Sequence, residues 1–130
     1  MADMVGIVLV SHSEQLALGL RDMLMQIGAD AVPVEVAGGT EDGRVGTSYD
    51  LISSAIDRAD QGAGVVILTD LGSAVLTTRT VLDDRSAENG VLVDAPFVEG
   101  AVAAAVIAGT GADLAAVIAA AEEARGVPKW

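Results

Sequence analysis

The sequence contains no cysteine and very few aromatic residues. Without thiols, a disulfide framework, a zinc–thiolate site and a cysteine nucleophile are all excluded, and nothing requires an oxidising compartment. Aromatic residues make up 2% of the 130 residues, although 52% are hydrophobic. The core must therefore consist mainly of Ala, Val, Leu and Ile. The length fits one domain of about 100 to 200 residues, so we expect residues 1–130 to form a single domain.

Basic residues are also scarce. Seven Lys and Arg stand against nineteen Asp and Glu, which gives a formal net charge of −12. This charge repels nucleic-acid phosphates and anionic membranes. It is typical of a well-solvated surface, or of a protein that docks on a basic protein surface. We therefore expect neither nucleic acid nor a membrane as a partner.

The sequence has no apolar run long enough for a membrane span. The longest candidate, Gly100–Ala112, is 13 residues long and lies between Glu99 and Asp113, whereas a span needs about 20 residues. The start, "MADMVGIVLVSHSE", has no basic region and becomes polar too early for a signal peptide. We expect a cytoplasmic protein.

Four short apolar runs without clean alternation are typical of buried parallel strands. They are Val5–Val10, Ala31–Val36, Gly64–Thr69 and Val91–Val93. The longer segments between these runs have helical spacing. Strands therefore alternate with helices, which predicts an α/β fold with parallel strands. We predict a three-layer α/β/α architecture around a doubly wound, four-stranded parallel sheet of order 2-1-3-4.

Five segments have helical character. The first has an apolar stripe of Leu16, Leu20, Leu24 and Ile27, and the second has Ile52, Ile56 and Ala59 after a cap of the form Thr47-x-x-Asp50. The third, Ser73–Asp84, is less regular, and its apolar side is predicted to consist of Val75, Leu76, Val81 and Leu82. Two Ala-rich helices follow, Phe97–Ala108 and Asp113–Arg125, with Asp113 as N-cap and Gly126 as stop.

The only histidine, His12, follows the first predicted strand. Ser11 and Glu14 have the spacing of a capping box, which predicts His12 in the first turn of a helix. Unpaired backbone N–H groups there favour an anion, and a neutral imidazole beside an anion site can accept a phosphoryl group. The alternative is that Ser11 and Glu14 simply cap the helix while His12 faces water.

Asp70 ends the third predicted strand as His12 follows the first. In the predicted strand order these two strands are neighbours, and the sheet's switch point lies between them. A carboxylate there could accept a hydrogen bond from one imidazole nitrogen and leave the other free to attack. We expect Asp70 to bond Nδ1–H and Nε2 to be the phosphorylated atom. The alternative is a local cap by Asp70 on Gly72 or Ser73.

The Gly-rich stretch "GGTEDGRVGTS", residues 38–48, is not a P-loop. Gly43-Arg44-Val45 stands where that motif needs Gly-Lys-Ser/Thr. We predict instead that Gly38 and Gly39 allow close backbone approach to the His12 site, and that Thr40 adds a hydroxyl donor. An ordinary surface turn is the alternative.

Four stretches together resemble a known family: "GIVLVSHSEQLALGL", "VAGGTEDGRVGTSYDLI", "GVVILTDLGSA" and "LVDAPFVEGAVAAAV". They are similar, in order over about Val5–Ala108, to the DhaM family. Its members are the phosphotransfer subunits of phosphoenolpyruvate-dependent dihydroxyacetone kinase, and their domain is related to the IIA domain of mannose-type sugar phosphotransferase systems. The motifs "GGT-DGR-GTS" and "DLGSA" separate this family from its sugar-transporting relatives.

The resemblance implies a phosphotransferase with a phosphohistidine intermediate. The carrier protein HPr would give its phosphoryl group to His12, which would pass it to ADP held on the nucleotide-binding kinase subunit. The ATP formed would phosphorylate dihydroxyacetone on a third subunit. No metal or cofactor of this chain's own is implied, because ADP/ATP and Mg belong to the partner kinase subunit.

The resemblance also assigns site residues by position. His12 matches the phosphorylated residue and Asp70 its orienting partner. The residues expected to bind the phosphoryl group or to line its site are Ser13, Gly39, Thr40, Gly72 and Ser73.

Two features depart from the family pattern. The sequence ends at Trp130 without carrier-protein domains, so we expect a separate HPr as donor. Its ending "DLAAVIAAAEEARG" is helical in pattern, whereas mannose-type relatives exchange a strand there. A homodimer is implied, with its mode open. Two other functions stay open: a mannose-type IIA domain serving a permease, and a regulatory module that uses phosphorylation of His12 as a switch.

Overall fold

The computed structural model of the protein describes residues 3–85 and 90–130. In this part of the chain the strands are β1 (Gly6–Ser11), β2 (Val34–Gly38), β3 (Val65–Thr69) and β4 (Gly90–Leu92). The α-helices are α1 (Glu14–Leu24), α2 (Tyr49–Ala59), α3 (Gly72–Arg85), α4 (Phe97–Ala108) and α5 (Leu114–Glu123). A π-helical turn, Met25–Ala29, follows α1, and a short 3-10 turn, Ala124–Gly126, follows α5.

The four strands form one parallel sheet of order β2-β1-β3-β4, which confirms the predicted order. The central strand β1 pairs with both β2 and β3, so that Val10 lies opposite Ala37 on one side and Thr69 on the other. Parallel strands bring their carboxyl ends to one edge of the sheet. The loops after β1, β2 and β3 therefore meet at that edge.

Alternate residues of β1 face two separate cores, because successive side chains of a strand point to opposite faces. Ile7 and Leu9 pack with residues of α1, α4 and α5, whereas Val8 and Val10 pack with residues of α2 and α3. All six β1 residues are buried. The predicted three-layer arrangement is thus confirmed, with the sheet between two helical layers.

The predicted stripe of α1 is wrong at its two ends. Leu16 and Ile27 are exposed by 47% and 49%, while the buried residues of the helix are Ala17, Leu20 and Leu24. Ala17 lies against the end of β2, where a Cβ on Gly38 would be 3.1 Å from the Ala17 Cβ, so the contact suits a small side chain. Ile27 follows the end of α1 and immediately precedes Gly28, whose φ of 107° takes the chain out of helical geometry, so the helical spacing no longer applies there.

One strand boundary and one inward-facing position also differ from prediction. β2 begins at Val34 rather than Ala31, because Pro33 cannot donate to a ladder and Val32 closes a turn onto Ala29. On α3 the predicted inward residue Leu76 is 67% exposed.

The buried face of α3 consists of Ala74, Thr78 and Val81, which follow helical spacing. Thr78 is polar but satisfied, because its hydroxyl donates to the Ala74 carbonyl at 2.9 Å.

The helix caps were predicted with mixed success. Asp113 caps α5 by accepting from the Ala116 N–H at 3.0 Å, as predicted. α2 is capped by Ser48 and not by Thr47, since Ser48 Oγ accepts from the Leu51 N–H. The Ala-rich ending is helical, as expected from its pattern. None of the helices in the described ranges has the length and apolar character that a bilayer crossing requires.

Candidate active site

His12 lies between the end of β1 and the start of α1, at the carboxyl edge of the sheet. The predicted cap was wrong by two residues. Ser13, not Ser11, is the N-cap of α1, because its hydroxyl accepts from the Leu16 N–H at 3.2 Å. His12 therefore precedes the helix instead of occupying its first turn.

The His12 ring is paired with Asp70, as predicted from the ends of the two strands. Nδ1 lies 3.0 Å from Asp70 Oδ1, and the two side chains are 19% and 9% exposed. The register brings them together, because Val10 of β1 is opposite Thr69 of β3. Asp70 also accepts a bond from the Leu71 N–H at 2.7 Å, rather than capping Gly72 or Ser73.

The other ring nitrogen, Nε2, lies 2.8 Å from Ser73 Oγ. An ionised carboxylate only accepts hydrogen bonds, so the neutral ring carries its proton on Nδ1 and donates it to Asp70. Nε2 then holds a lone pair and accepts from the Ser73 hydroxyl. The hydrogen bonds thus favour the tautomer in which Nδ1 carries the proton and Nε2 keeps the lone pair.

The pKa of Asp70 is lowered from its ordinary value. Burial of the carboxyl group acts in the opposite direction, but it is outweighed by hydrogen bonds from the His12 N–H, the His12 ring, the Ser11 hydroxyl and the Leu71 N–H. Asp70 is consequently a carboxylate at neutral pH and can balance positive charge on the imidazole.

Helix α3 begins beside the ring. Gly72 is its first residue and Ser73 its second. The first N–H groups of a helix have no intrahelical partner, and the helix dipole adds partial positive charge there. The predicted residue Ser73 is thus in direct contact with His12, whereas Gly72 is exposed and has open space around its Cα.

Gly38 and Gly39 allow the close approach that the sequence predicted. A Cβ on Gly38 would lie 2.6 Å from Glu14 Cα, so only glycine lets the end of β2 meet the start of α1. Gly39 has a φ of 72°, and its N–H donates to the Ser11 carbonyl at 2.9 Å. Farther along the loop, the Gly46 N–H donates to the His12 carbonyl at 3.0 Å.

The hydroxyl groups of Thr40 and Ser13 are engaged away from the ring. Thr40 Oγ1 donates to Asp42 and accepts from the Arg44 N–H at 3.0 Å, so it stabilises its own loop. Ser13 uses its hydroxyl as the cap of α1. The hydroxyl donor predicted at Thr40 is therefore directed to Asp42 in this structure, since local partners take it.

Two side-chain contacts stabilise the Gly-rich loop, one within the loop and one to α3. Ser48 Oγ donates to Glu41 Oε1 at 2.9 Å, and Thr47 Oγ1 lies 2.9 Å from Thr77 Oγ1 on α3. Sequence reasoning did not identify the pair Thr47 and Thr77. The loop is thus tied to the same helix that carries Ser73.

Sequence reasoning also missed the role of Ser11. This residue is fully buried, and its hydroxyl donates to Asp70 Oδ2 at 2.9 Å. The available signal was its position: a serine at the end of an apolar strand must find a hydrogen-bond partner when buried. Its pairing with Asp70, 59 residues away, depends on strand register.

Among the residues the structure describes, no three His, Asp or Glu side chains lie close enough together to hold a metal ion. The polar groups at this edge of the sheet are the His12 imidazole, the Asp70 carboxylate, the serine hydroxyls and the helix termini.

Comparison with solved structures supports the fold. The crystal structure of the unknown-function protein EF1359 superposes with a TM-score of 0.84 at 37% sequence identity, covering 98% of this chain and 99% of that chain. The likeness extends over both chains almost completely.

Relatives of similar sequence share one name. In Listeria innocua, the phosphoryl donor subunits DhaM of PEP-dependent dihydroxyacetone kinases 2 and 1 are 41% and 42% identical. The matches cover 79% and 81% of this chain, and 85% and 82% of those relatives. The Escherichia coli DhaM is 35% identical over 88% of this chain, which spans only 26% of that longer relative.

The family model EIIA-man, described as the PTS system fructose IIA component, matches residues 6–118. This range includes every strand of the sheet and both partners of the His12–Asp70 pair. The protein therefore belongs to the EIIA-man family, with DhaM phosphoryl donor subunits among its relatives.

Proposed function

We propose that this protein is a phosphoryl relay of a PEP-dependent dihydroxyacetone kinase, in which His12 carries the phosphoryl group. The observation that carries this proposal is the geometry of the ring: Nδ1 is held by Asp70, while Nε2 faces Ser73 at the start of α3. The names of the Listeria and Escherichia relatives supply the reaction in which such a carrier would act.

The first transfer moves one phosphoryl group from the phosphohistidine of HPr to His12. The lone pair of Nε2 attacks phosphorus, the phosphorus–nitrogen bond in the donor breaks, and the donor imidazole recovers its electron pair. His12 keeps its Nδ1 proton, so the phosphorylated ring is cationic. The Asp70 carboxylate, 3.0 Å away, balances that charge.

The second transfer reverses these changes. The bond between phosphorus and Nε2 breaks, and a new bond forms to a terminal phosphate oxygen of ADP on the nucleotide-binding kinase subunit. The ATP that results would phosphorylate dihydroxyacetone on the dihydroxyacetone-binding subunit. This chain contributes the imidazole, while ADP/ATP and Mg remain on the partner subunit.

Charge on the transferred group would be stabilised by the start of α3. Phosphoryl transfer depends chiefly on alignment and on stabilisation of charge on the phosphoryl oxygens. The Ser73 hydroxyl, 2.8 Å from Nε2, can rotate to donate to a phosphoryl oxygen once the lone pair is used. The unpaired N–H groups of the helix terminus favour the same anion.

The surface around the ring suits a site that partner proteins cover in turn. Leu71 is 57% exposed and adjoins Asp70, while Val45 is 80% exposed and precedes Gly46, which bonds the His12 carbonyl. Leu76 lies one helical turn after Ser73 and is 67% exposed. Each of these exposed aliphatic groups thus lies next in sequence to, or one helical turn from, a residue that bonds His12, and exposed aliphatic groups in such places are typical of a protein interaction site.

The decisive experiment is reconstitution of the relay. The protein is incubated with phosphoenolpyruvate, Enzyme I and HPr, then with the ADP-loaded kinase subunits and dihydroxyacetone, and dihydroxyacetone phosphate is measured. We expect His12→Ala to abolish the product, since this chain has no other imidazole. Product formation by this variant at the wild-type rate would disprove the proposal.

The fate of the label on His12 separates the alternatives, and the rate of transfer in an Asp70 variant tests the role of the carboxylate. Stable labelling of His12 by HPr without transfer to the kinase subunits would instead indicate a permease partner or a switch. Asp70→Asn should slow transfer about 10- to 100-fold, the effect of losing a charge-assisted hydrogen bond of about 1.5 to 3 kcal/mol. Asp60→Asn is the matched control, because Asp60 also accepts a backbone N–H bond, from Gly62, but lies after α2.

A further inference from the structure

We propose that Ser11 is a positioning residue that acts through Asp70 to hold His12 in its Nδ1–H tautomer. This tautomer leaves a lone pair on Nε2. That the lone pair accepts a phosphoryl group rests on the proposed function. Ser11 touches neither the reacting nitrogen nor Ser73, so its effect must pass through the carboxylate.

The Ser11 hydroxyl has a fixed direction. Its oxygen accepts a hydrogen bond from the Ser13 N–H at 3.0 Å, and it lies 2.9 Å from Asp70 Oδ2. An amide N–H can only donate and a carboxylate can only accept. The hydroxyl proton must therefore point at Asp70. Because Ser11 is 0% exposed, this arrangement does not compete with bulk water.

The carboxylate of Asp70 receives two donors on each oxygen. Oδ2 accepts from the Ser11 hydroxyl and from the His12 N–H at 3.0 Å. Oδ1 accepts from the Leu71 N–H at 2.7 Å and from His12 Nδ1 at 3.0 Å. These four bonds fix the carboxylate plane, so that Oδ1 faces the ring. Without the Ser11 hydroxyl, Oδ2 keeps one donor and the plane can turn.

The fixed carboxylate selects the ring tautomer. With the proton on Nδ1, the ring donates to Oδ1 and accepts from Ser73, so both nitrogens are satisfied. With the proton on Nε2, the bare Nδ1 would face Oδ1 at 3.0 Å, and two acceptors would oppose each other. That tautomer also has no lone pair on Nε2. A carboxylate that is free to turn would destabilise the Nε2–H tautomer less.

Ser11 also joins the pair to the start of α1. The Ser13 N–H donates to Ser11 while the Ser13 hydroxyl caps the helix. The chain of donors runs from Ser13 through Ser11 to Asp70. It therefore couples the end of β1, the first turn of α1 and the end of β3 at the ring, and gives Ser11 a role that a simple cap would not have.

Nitrogen-15 NMR of the imidazole tests the proposal directly. His12 is the only histidine of the chain, so a sample labelled in histidine reports one ring without ambiguity. The spectra are recorded on the full chain at a pH at which the ring is neutral, for wild type, Ser11→Ala and Ser11→Thr. Thr78→Val is the matched control, because it removes another fully buried hydroxyl that bonds only the Ala74 carbonyl within the described contacts.

We expect the Nδ1–H tautomer to dominate in wild type, in Ser11→Thr and in Thr78→Val, and its fraction to fall in Ser11→Ala. The rate of His12 phosphorylation by phospho-HPr at saturation should fall about tenfold in Ser11→Ala, the equivalent of one lost hydrogen bond to a charged group. The KM for the donor should stay unchanged, since Ser11 is buried and meets no partner.

The proposal would be overturned if Ser11→Ala kept the wild-type tautomer, or if Ser11→Thr shifted it as much as alanine does. An equal shift in Thr78→Val would also overturn it, because loss of any buried hydroxyl would then suffice. The tautomer is read without partner proteins. A changed tautomer with no phosphorylation of wild-type His12 would therefore contradict the proposed function and leave the positioning role of Ser11 supported.

Discussion

At the scale of single residues, the balance at Asp70 decides the charge of the site. Burial of its carboxyl group favours the neutral form, whereas hydrogen bonds from His12, Ser11 and Leu71 favour the carboxylate and lower its pKa. Because those donors exist only in the folded chain, the carboxylate is stabilised by folding. Ionisation of Asp70 and stability of the fold are thus linked.

The pH dependence of stability follows from this linkage. A carboxyl group whose pKa is lower in the folded protein contributes stability that is fully present above its unfolded pKa, at about pH 4. That stability disappears as the pH falls through the folded value. We expect Asp70→Asn to lower the free energy of unfolding by about 2 kcal/mol at neutral pH, and the difference from wild type to shrink below about pH 4.

Urea unfolding of both proteins at several pH values between neutrality and acid checks this expectation. A difference between wild type and Asp70→Asn that stayed constant across the whole pH range would show that the carboxylate's ionisation does not contribute to stability.

At the scale of elements, the close approach of β2 to α1 places the Gly-rich loop against the site. A Cβ at Gly38 would lie 2.6 Å from Glu14 Cα and 2.9 Å from the Ser13 carbonyl. These are backbone atoms at the start of α1, and they cannot give way as a flexible side chain would. A side chain at Gly38 must therefore separate the strand from the helix.

We predict that Gly38→Ala destabilises the protein by about 2 kcal/mol, as overpacking of a buried contact does, and slows phosphoryl transfer by displacing the first turn of α1. Gly19→Ala, in α1 itself, is the matched control, because Gly19 is exposed and an added Cβ there would meet nothing within 4 Å. It should stabilise the protein by about 0.5 to 1 kcal/mol. Thermal unfolding and the reconstituted transfer assay measure both effects, and equal stability changes would contradict the prediction.

The elements themselves were largely predictable because buried parallel strands have apolar runs and their helices have a regular spacing. The limits of α4 were predicted to the residue, and the order of the sheet was predicted from a doubly wound arrangement. The exposed positions of Leu16 and Leu76 were not predictable. They depend on how closely each helix approaches the sheet and on which of its faces it buries.

The site was predictable where strand ends determine it and unpredictable where hydroxyl groups choose between partners. His12 and Asp70 meet because β1 and β3 are neighbours. Ser11 and Ser13 are both suitable caps by sequence, but the Ser11 hydroxyl bonds the distant carboxylate of Asp70 and Ser13 caps α1. Thr40 likewise bonds within its own loop, a choice that residue spacing does not reveal.

At the scale of the whole molecule, the net charge and the exposed aliphatic side chains would act at different steps of partner binding. The net charge of −12 acts over long distances and would accelerate an encounter with a basic surface of the proposed partners, an effect that salt weakens. The exposed aliphatic side chains of Leu71, Val45 and Leu76 act only on contact. Burying them around the ring would stabilise the docked complex and exclude water from the transferred group.

The double variant Val45→Ser and Leu71→Ser separates docking from chemistry. Each aliphatic side chain contributes about 1.5 kcal/mol when an interface buries it, and exposed serines lose that gain without disturbing the core. We expect the KM for the kinase subunits to rise at least about tenfold, with kcat unchanged, because neither residue contacts Nε2. Ile27→Ser is the matched control, since Ile27 is 49% exposed but follows α1 at the end remote from His12.

Initial rates at increasing concentrations of kinase subunits provide both constants, KM and kcat. A KM equal to that of wild type, or an equal rise in Ile27→Ser, would show that the aliphatic surface around the ring is not where the partner binds.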